Sequence, residues 1–390
     1  MEDELLKIRS RPAAQQPEWG DAPLLTTVHR RLRNSPGLVC GDDVSRLRSV
    51  LARVAAGQAL VVLAGDCSED PAECTAASVA RKVGLLDLLA GTLKMITGKP
   101  VVRAGRIAGQ FAKPRSRPTE RRGDVTLPVY RGHMVNSPDP DPLRRRPDPL
   151  RILAGYRAAA EAMSQLGWLG DRTGFDIDPP VWTAHEALLL DYELPMLRRD
   201  AHGQHLLAST HWPWIGDRTR DVDGAHVSLL SMVINPVACK IGPGVTTGEL
   251  LELCRRLDPG RVPGRLTLVA RMGPEAVADR LPPLVAAVRG AGHPVIWLTD
   301  PLHANTVTTP SGLKTRYVDT VVREVQRFQI AVTSAGGVAG GLHLETTPDE
   351  VTECVANSSD DDRVTDKYTT FCDPRLNPSQ AVSVISAWTW

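Results

Sequence analysis

The side chains of this sequence that could most readily take part in chemistry are one thiol, one imidazole and two carboxylates. They lie far apart in the chain. They are Cys67, His303, Glu345 and Asp373. This mixture of ligand types suits a transition-metal dication better than Mg²⁺ or Ca²⁺. No spacing motif links the four, and each has an ordinary alternative, since a buried thiol can be inert and a loop carboxylate can be solvated or cap a helix. A metal site therefore requires a fold that brings them together.

A second set of candidate site residues is cationic. It comprises Arg106, Lys113, Arg115, Arg218, Lys240 and Arg271. Lys240 and Arg271 each end an apolar run, so they should be partly buried, and a buried cation without a partner is costly. Phosphorylated substrates are the simplest partners, because arginine binds phosphate and carboxylate in a bidentate manner. For the segment KPRSRPTERR, a solvated charged loop or a nucleic-acid patch remains the alternative interpretation.

The element that must position His303 is the stretch VIWLTDPLHANT, residues 295–306. Its continuous apolar run predicts a buried parallel strand, which delivers His303 just beyond its carboxyl end. Similar runs alternate with helical patterns, and this alternation indicates a parallel sheet. The predicted strands lie near residues 61, 101, 207, 237, 267, 296, 342 and 370. A polar group follows each one, which favours an α/β fold of the (β/α)8 barrel type with one polar rim.

Helical spacing predicts the remaining elements. Helices are expected at 24–32, 43–56, 75–98, 150–166 and 183–200. Residues 105–150 are rich in Arg, Pro and Gly and are interpreted as a long functional loop inserted after the second strand. We expect residues 1–56 to form an N-terminal arm with helices that pack on the barrel, and residues 57–390 to form a single catalytic barrel.

Composition narrows the function classes. The chain has 46 Lys and Arg residues against 45 Asp and Glu residues, which argues against a general nucleic-acid or membrane-surface binder. No apolar run approaches the ~20 residues of a membrane helix, and the charged N-terminus lacks an apolar signal core. We expect a cytoplasmic protein in which most of the seven cysteines are reduced.

Several motifs in order along the chain resemble one known family. They are AGDCSED, RIAGQFAKPRS, THWPWIGDRTR, DGAH, NPVACKIGP, ARMG, DPLHANT, GGLHLE and CDPRLN. They are similar to the type II 3-deoxy-D-arabino-heptulosonate 7-phosphate (DAHP) synthases, from about Leu60 to the C-terminus. The resemblance implies a (β/α)8 barrel that condenses phosphoenolpyruvate with erythrose 4-phosphate and releases phosphate, the first step of the shikimate pathway.

The same resemblance implies roles for individual residues. Cys67, His303, Glu345 and Asp373 correspond to the metal ligands, and the ion would be Mn²⁺, with Co²⁺, Zn²⁺ or Fe²⁺ as alternatives. Arg106, Lys113, Arg218, Lys240 and Arg271 correspond to the phosphoenolpyruvate site. Arg115, Ser116, Trp214 and Lys314 correspond to the erythrose 4-phosphate site. Lys113 and Asp217 are implied to be catalytic.

Some positions differ from the usual family pattern. His133 stands where Asp is usual, Ala304 where Gly is usual and Thr299 where Cys is common. These differences leave open an altered sugar substrate, such as the amino analogue of erythrose 4-phosphate. The segment between Glu193 and His211 is short, as in family members of secondary metabolism, so we expect weak or no feedback inhibition by Phe, Tyr or Trp.

Two further expectations concern oxidation and assembly. Cys372 adjoins Asp373 on the predicted last strand, which a closed barrel would set beside the strand leading to Cys67, so oxidation could join the two thiols and displace the metal. The resemblance implies a homodimer or higher homo-oligomer and a chorismate mutase-like partner enzyme. A barrel that uses a different phosphorylated aldehyde, or a non-catalytic partner barrel, is the competing interpretation.

Overall fold

The computed structural model describes residues 2–122, 125–170 and 178–389, and its centre is a closed barrel of eight parallel strands. The barrel strands are β1 (Leu60–Gly65), β2 (Val101–Arg106), β3 (Trp182–Glu186), β4 (Trp212–Ile215), β5 (Val237–Ile241), β6 (Leu266–Ala270), β7 (Ile296–Thr299) and β8 (Ala339–Glu345). They follow one another around the barrel in chain order, and β8 pairs with β1 to close it. The predicted (β/α)8 fold is confirmed.

Helices cover the outside of the barrel and its N-terminal side. They are α1 (Glu2–Arg9), α2 (Ala22–Asn34), α3 (Gly41–Ala55), α4 (Ala76–Thr97), α5 (Leu150–Gln165), α6 (Leu190–Glu193), α7 (Ala225–Met232), α8 (Thr247–Leu257), α9 (Pro274–Gly290), α10 (Val318–Ser334) and α11 (Pro378–Ser386). The helices predicted at 24–32, 43–56, 75–98 and 150–166 are confirmed as α2 to α5. None of the helices described has the length and apolar character needed to cross a bilayer.

The barrel strands are apolar because both of their faces are covered. β6 and β7 are buried at every position, with the barrel interior on one side and helices on the other, and such strands read as continuous apolar runs. Closure brings backbones very close at Gly341 of β8. Its φ is +137° and a Cβ there would collide with the carbonyl oxygen of Val61, so only glycine fits.

Two of the predicted barrel strands and one predicted helix are wrong. Residues near 207 form a short strand, His205–Leu207, which pairs antiparallel with Leu197–Arg199 outside the barrel. The barrel strands of this region are β3 and β4. β3 lies where a helix was predicted over 183–200, since the helix-forming Ala, Glu and Leu residues there are overridden by burial of the strand within the barrel. Only α6 in that stretch is α-helical.

The segment near residue 370 is not the last barrel strand. β8 already closes the barrel, and the chain then runs through a 3-10 turn, Ser358–Thr365, into an irregular loop that contains Asp373. This loop returns to the carboxyl ends of the strands, where the backbone N–H of Leu376 donates to the carbonyl of Glu345. The long insertion after β2 is confirmed; it contains the antiparallel pair Thr119–Arg122 and Val125–Pro128.

Candidate active site

A cavity of about 880 Å³ lies at the carboxyl ends of the barrel strands. Side chains from the end of β2, the end of β3, β4, β5, and the loops after β6 and β7 line it, together with the loop after β8. In (β/α)8 barrels this rim is where active sites are found. Most of the lining side chains singled out from the sequence are cationic, so the cavity is suited to anionic ligands.

One wall of the cavity carries the predicted metal-type donors. His303, Glu345 and Asp373 each present a ligand atom within 4.8 Å of the other two, and His303 Nε2 lies 3.3 Å from Glu345 Oε1. Cys67 borders this cluster, because the backbone N–H of Asp373 donates to its Sγ at 3.4 Å. β7, β8 and β1 are neighbours in the barrel, and this adjacency brings together residues that are distant in sequence. The imidazole, carboxylate and thiol set suits a transition-metal dication.

Glu345 is fully buried and surrounded by cations. Its carboxylate lies 3.1 Å from Arg106, 3.0 Å from Lys113 and 2.9 Å from Arg316. Burial raises the pKa of Glu345, but His303, Lys113 and Arg316 outweigh this effect and hold the pKa well below its usual range. Glu345 is therefore an ionised acceptor. Arg316 was missed by the sequence analysis, since nothing in the pattern marks it as a neighbour of β8.

The thiol of Cys67 is the second unusual group of this wall. Burial raises its pKa, but a hydrogen bond from Cys372 and the nearby Lys113 ammonium lower it more, to about 7. The thiolate is the form that binds metals. Cys372 lies beside Cys67 as expected, although on a loop instead of a strand. The loop reaches Cys67 because it crosses the carboxyl end of β1.

Asp300 orients the imidazole of His303 and was missed by the sequence analysis. Its Oδ2 accepts hydrogen bonds from His303 Nδ1 and from Lys240 Nζ, both at 2.7 Å. A carboxylate that fixes one ring nitrogen leaves the other free to bind a metal, and here Nε2 points to Glu345. The DP turn after β7 is a weak signal for such a residue. Asp300 thus connects the metal-type cluster with the cationic wall.

A second part of the cavity lining, called the cationic wall here, holds cations that each contact a carboxylate. Lys240 pairs with Asp300, and Arg271 NH1 lies 3.0 Å from Asp217 Oδ2. Asp217 also accepts from the N–H of Gly242 and from Arg220, both at 2.9 Å. Burial raises the pKa of Asp217, but Arg220 and Arg271 lower it below its ordinary value. The contacts of Asp217 are those of a residue that positions arginine side chains.

The remaining predicted residues divide between the floor and the mouth of the cavity. Trp214 is buried beneath two cations, and the centre of its ring lies 5.4 Å from the Arg106 guanidinium and 5.5 Å from Lys240 Nζ. Arg218 lies at the mouth, where it donates to Ser116 Oγ at 2.7 Å. The structure therefore brings Arg218 to the residues predicted for the sugar phosphate, and Trp214 to those predicted for phosphoenolpyruvate.

Arg115 and Lys314 lie at the same mouth. Arg115 makes a long contact of 3.5 Å with Glu120, and Lys314 Nζ donates to Asp373 at 2.9 Å. A further acid, Glu186 at the end of β3, also lines the cavity, and its buried Oε1 has no hydrogen-bond partner among the described residues. The sequence analysis missed Glu186 because its strand was interpreted as a helix.

Fold and site together define a (β/α)8-barrel enzyme whose pocket is suited to anions and lies beside a metal-type donor cluster. The sequence matches the model of the class-II DAHP synthetase family over residues 4–175 and 177–387. The chain therefore belongs to the class-II DAHP synthase family.

Three relatives support this assignment. The chain is 56% identical over 390 residues to a protein of Pseudomonas fluorescens named "Probable phospho-2-dehydro-3-deoxyheptonate aldolase", with 100% of this chain and 97% of that protein covered. It is 39% identical over 424 aligned residues to a phospho-2-dehydro-3-deoxyheptonate aldolase of Streptomyces coelicolor, with 96% and 94% covered. Identity to the protein of that name from Mycolicibacterium smegmatis is 35%, with 96% and 91% covered.

Proposed function

We propose that this chain condenses phosphoenolpyruvate with erythrose 4-phosphate and water to give DAHP and phosphate. The observation that carries the proposal is a cluster of three metal-type donors, within 4.8 Å of one another, at a cavity that two of them and several cations line. Two phosphorylated substrates need such cations, and an aldehyde electrophile needs a Lewis acid. Membership of the class-II DAHP synthase family supports the same chemistry.

His303, Glu345, Asp373 and Cys67 would hold one divalent ion, for which Mn²⁺ is our first choice, with Co²⁺, Zn²⁺ and Fe²⁺ as alternatives. An ion bound there supplies Lewis acidity to the aldehyde oxygen of the sugar phosphate. The thiol favours these cations over Mg²⁺ and Ca²⁺, which prefer oxygen ligands. Asp300 fits this arrangement, since it turns the second imidazole nitrogen of His303 toward the other donors.

Cations of both walls would bind phosphoenolpyruvate. Lys240 and Arg271 are fixed by Asp300 and Asp217 before substrate arrives, so they can stabilise the departing phosphate without reorganisation. Arg106 and Lys113 would hold the carboxylate end of the substrate. Holding both substrates in one cavity orients carbon 3 of phosphoenolpyruvate toward the aldehyde carbon.

Lys113 is suited to stabilise negative charge on the aldehyde oxygen. Burial lowers its pKa, but Glu345 and Asp373 raise it more, so the net pKa lies above the ordinary value for lysine and the side chain stays protonated. The ammonium can therefore hydrogen-bond to the aldehyde oxygen and, once the new carbon–carbon bond has made that oxygen an alkoxide, pass it a proton. Water then adds at carbon 2. The unpartnered carboxylate oxygen of Glu186 is suited to accept the proton of this water, after which phosphate leaves.

Erythrose 4-phosphate is favoured over its amino analogue by the location of the unusual residues. His133 hydrogen-bonds to the Tyr130 hydroxyl at 2.6 Å and packs against Phe371. In the part of the chain that the structure describes, neither His133 nor Thr299 nor Ala304 is among the residues that line the cavity. These three positions are therefore poor determinants of which sugar binds.

The test is a side-by-side assay of phosphate release with phosphoenolpyruvate and each of the two aldose phosphates. We expect higher kcat/KM with erythrose 4-phosphate, loss of activity after chelation, and recovery when Mn²⁺ is restored. Higher kcat/KM with the amino analogue would correct the substrate. Full activity in the chelated protein would refute the metal role.

A further inference from the structure

The segment between α1 and α2, residues 10–21, crosses the carboxyl face of the barrel and is called the N-terminal strap here. It contacts the loops that follow three barrel strands. The carbonyl of Pro12 accepts from Ala225 N at 2.9 Å, after β4. Gln16 donates to the carbonyl of Leu188 at 2.9 Å and accepts from Leu190 N at 3.0 Å, after β3. The third contact involves the loop after β2, which carries Lys113 and Arg115.

Gln15 makes this third contact, and it does so with two separate parts of the loop after β2, at Arg115 and at Arg131. Its side-chain Oε1 accepts from the backbone N–H of Arg115 at 2.8 Å. Its carbonyl accepts from the guanidinium of Arg131 at 3.3 Å. Lys113 N in turn donates to the carbonyl of Arg131 at 2.9 Å. Gln15 therefore fixes the backbone at Arg115. It also contacts Arg131, the residue whose carbonyl accepts from the backbone N–H of Lys113.

Gln15 adopts a backbone conformation that is unfavourable for its residue type. Its φ is +65°, and among the described residues other than glycine only Ala108 and Arg261 also have positive φ. Left-handed backbone is disfavoured for residues with a Cβ and persists where the surroundings hold it. Here the surroundings are the two arginines of the loop. The unusual φ is what directs both the side chain and the carbonyl of one residue at the same loop.

The guanidinium of Arg115 is held less firmly by carboxylates than the cationic groups of Lys240 and Arg271 are. Lys240 and Arg271 contact carboxylates at 2.7 and 3.0 Å, whereas the only carboxylate contact described for Arg115 is the 3.5 Å contact with Glu120. The position of its guanidinium therefore depends on its backbone. The backbone in turn is held at Arg115 N by the amide oxygen of Gln15.

We propose that Gln15 is a positioning residue for the sugar-phosphate subsite, acting through the backbone of Arg115. The functional part of this inference rests on the proposed function, because it assumes that Arg115 and Ser116 bind the phosphate of the aldose. The inference assigns a role in the second-substrate subsite to the N-terminal strap, which lies outside the barrel strands and their loops.

The test uses Gln15→Met, which preserves side-chain length but removes the acceptor, in the full chain. We expect the KM for erythrose 4-phosphate to rise at least tenfold, with the KM for phosphoenolpyruvate and the affinity for Mn²⁺ within twofold of wild type. Gln15→Gly relieves the left-handed backbone and also lacks the acceptor, so it should show the same rise. Gln165→Met, on the surface of α5 where Gln165 contacts Glu161, is the matched control and should match wild type.

A second measurement keeps the inference separate from the proposed function. Backbone hydrogen exchange should speed up at least tenfold in residues 113–117 of Gln15→Met and stay unchanged in residues 240–243. This readout holds whether or not the enzyme uses erythrose 4-phosphate. Unchanged exchange at 113–117, an equal rise in both KM values, or a Gln15→Gly variant that behaves as wild type would each overturn the positioning role. An inactive wild type with faster exchange in the variant would refute only the proposed substrates.

Discussion

The two walls of the cavity differ in how they combine acids and bases. On the metal-type wall, the buried carboxylate of Glu345 is surrounded by three cations. On the cationic wall, Lys240 and Arg271 each contact a carboxylate. The first arrangement keeps acids ionised while they are out of water, which a ligand set for a cation requires. The second keeps N–H donors fixed and aimed at a cavity, which suits an anion. Acids and bases thus occur together on both walls. On one wall the bases keep acids ionised for a metal cation, and on the other the acids fix bases that can bind an anion.

The two walls also contact each other, through Arg271 and the carbonyl of His303 and through the side chain of Asp300. Asp300 contacts Lys240 on the cationic wall and His303 on the metal-type wall. Substitutions can therefore be chosen that affect one wall, the other, or both. The following changes test this division, beginning with the largest expected effect.

Glu345→Gln should abolish the function of the metal-type wall. It removes one donor and leaves Arg106, Lys113 and Arg316 without their carboxylate partner. We expect activity to fall about a thousandfold with loss of Mn²⁺ binding, and the free energy of unfolding to fall by about 3–5 kcal/mol. Phosphate release, calorimetric titration with Mn²⁺ and denaturant unfolding measure the three effects. Asp349→Asn, in an exposed pair with Arg81, is the control, and a Glu345→Gln enzyme within tenfold of wild type would contradict the assignment.

Asp300→Asn should affect both walls together. The amide cannot accept from His303 and Lys240 as a carboxylate does, so the affinity for Mn²⁺ should fall roughly 10- to 100-fold and the KM for phosphoenolpyruvate should rise about tenfold. Both constants are measured on the same preparation. If only one of them changes, Asp300 does not couple the walls.

Oxidation should act on the metal-type wall alone. An added two-electron oxidant such as hydrogen peroxide would take the two thiol hydrogens of Cys67 and Cys372 and leave a disulfide, which removes one donor. We expect oxidised wild type to lose activity roughly tenfold or more, and dithiothreitol to restore it. In Cys372→Ser the recovery by dithiothreitol should vanish. Equal recovery in both proteins would exclude this thiol pair.

Arg271→Lys should affect mainly the cationic wall. Lysine keeps the charge, but it cannot contact both Asp217 and the carbonyl of His303 as the guanidinium does. The KM for phosphoenolpyruvate should therefore rise about tenfold. The affinity for Mn²⁺ should change much less, because the contact with His303 is to its backbone, while Asp300 holds its imidazole. Arg81→Lys is the surface control. A parallel loss of Mn²⁺ affinity would show that the walls are less separate than their contacts indicate.

The smallest effect is expected from aromatic amino acids. Because the segment between Glu193 and His211 is short, 1 mM Phe, Tyr or Trp should change the rate by less than about twofold, which is well below the roughly 5- to 150-fold range of ordinary allosteric coupling. Steady-state rates at subsaturating concentrations of each substrate provide the measurement. Tenfold inhibition would contradict the prediction.

The sequence predicted best those parts of the molecule whose burial is uniform. β5, β6 and β7 are apolar at almost every position, and the polar residue that ends each or follows it was assigned to the correct rim. β3 was missed because WTAHE mixes polar and helix-forming residues, and Glu186 was lost with it. Asp373 lies in the donor cluster as predicted but on a different element, since residue type indicates a candidate ligand but does not reveal that a loop delivers it.

Contacts between distant parts of the chain were beyond the reach of sequence patterns. Asp300 holds a lysine 60 residues away, and Gln15 holds the backbone of a residue 100 positions along. Gln15 belongs to none of the quoted motifs, and Asp300, although it begins DPLHANT, carries no mark in the sequence of its contact with Lys240. Their roles are set by how the loops meet over the closed barrel, and a single sequence carries no direct record of that.

Asp373 reaches the donor cluster on an irregular loop, while Glu345 ends a barrel strand, so an ion held by both would tie that loop to the rigid part of the fold. Lys367 is exposed on the same loop, six residues before Asp373, and trypsin cleaves after lysine where the chain can open locally. Added Mn²⁺ should therefore protect this bond from proteolysis. An ion bound by Asp373 and Glu345 would thus also hold in place the loop that supplies one of its own ligands.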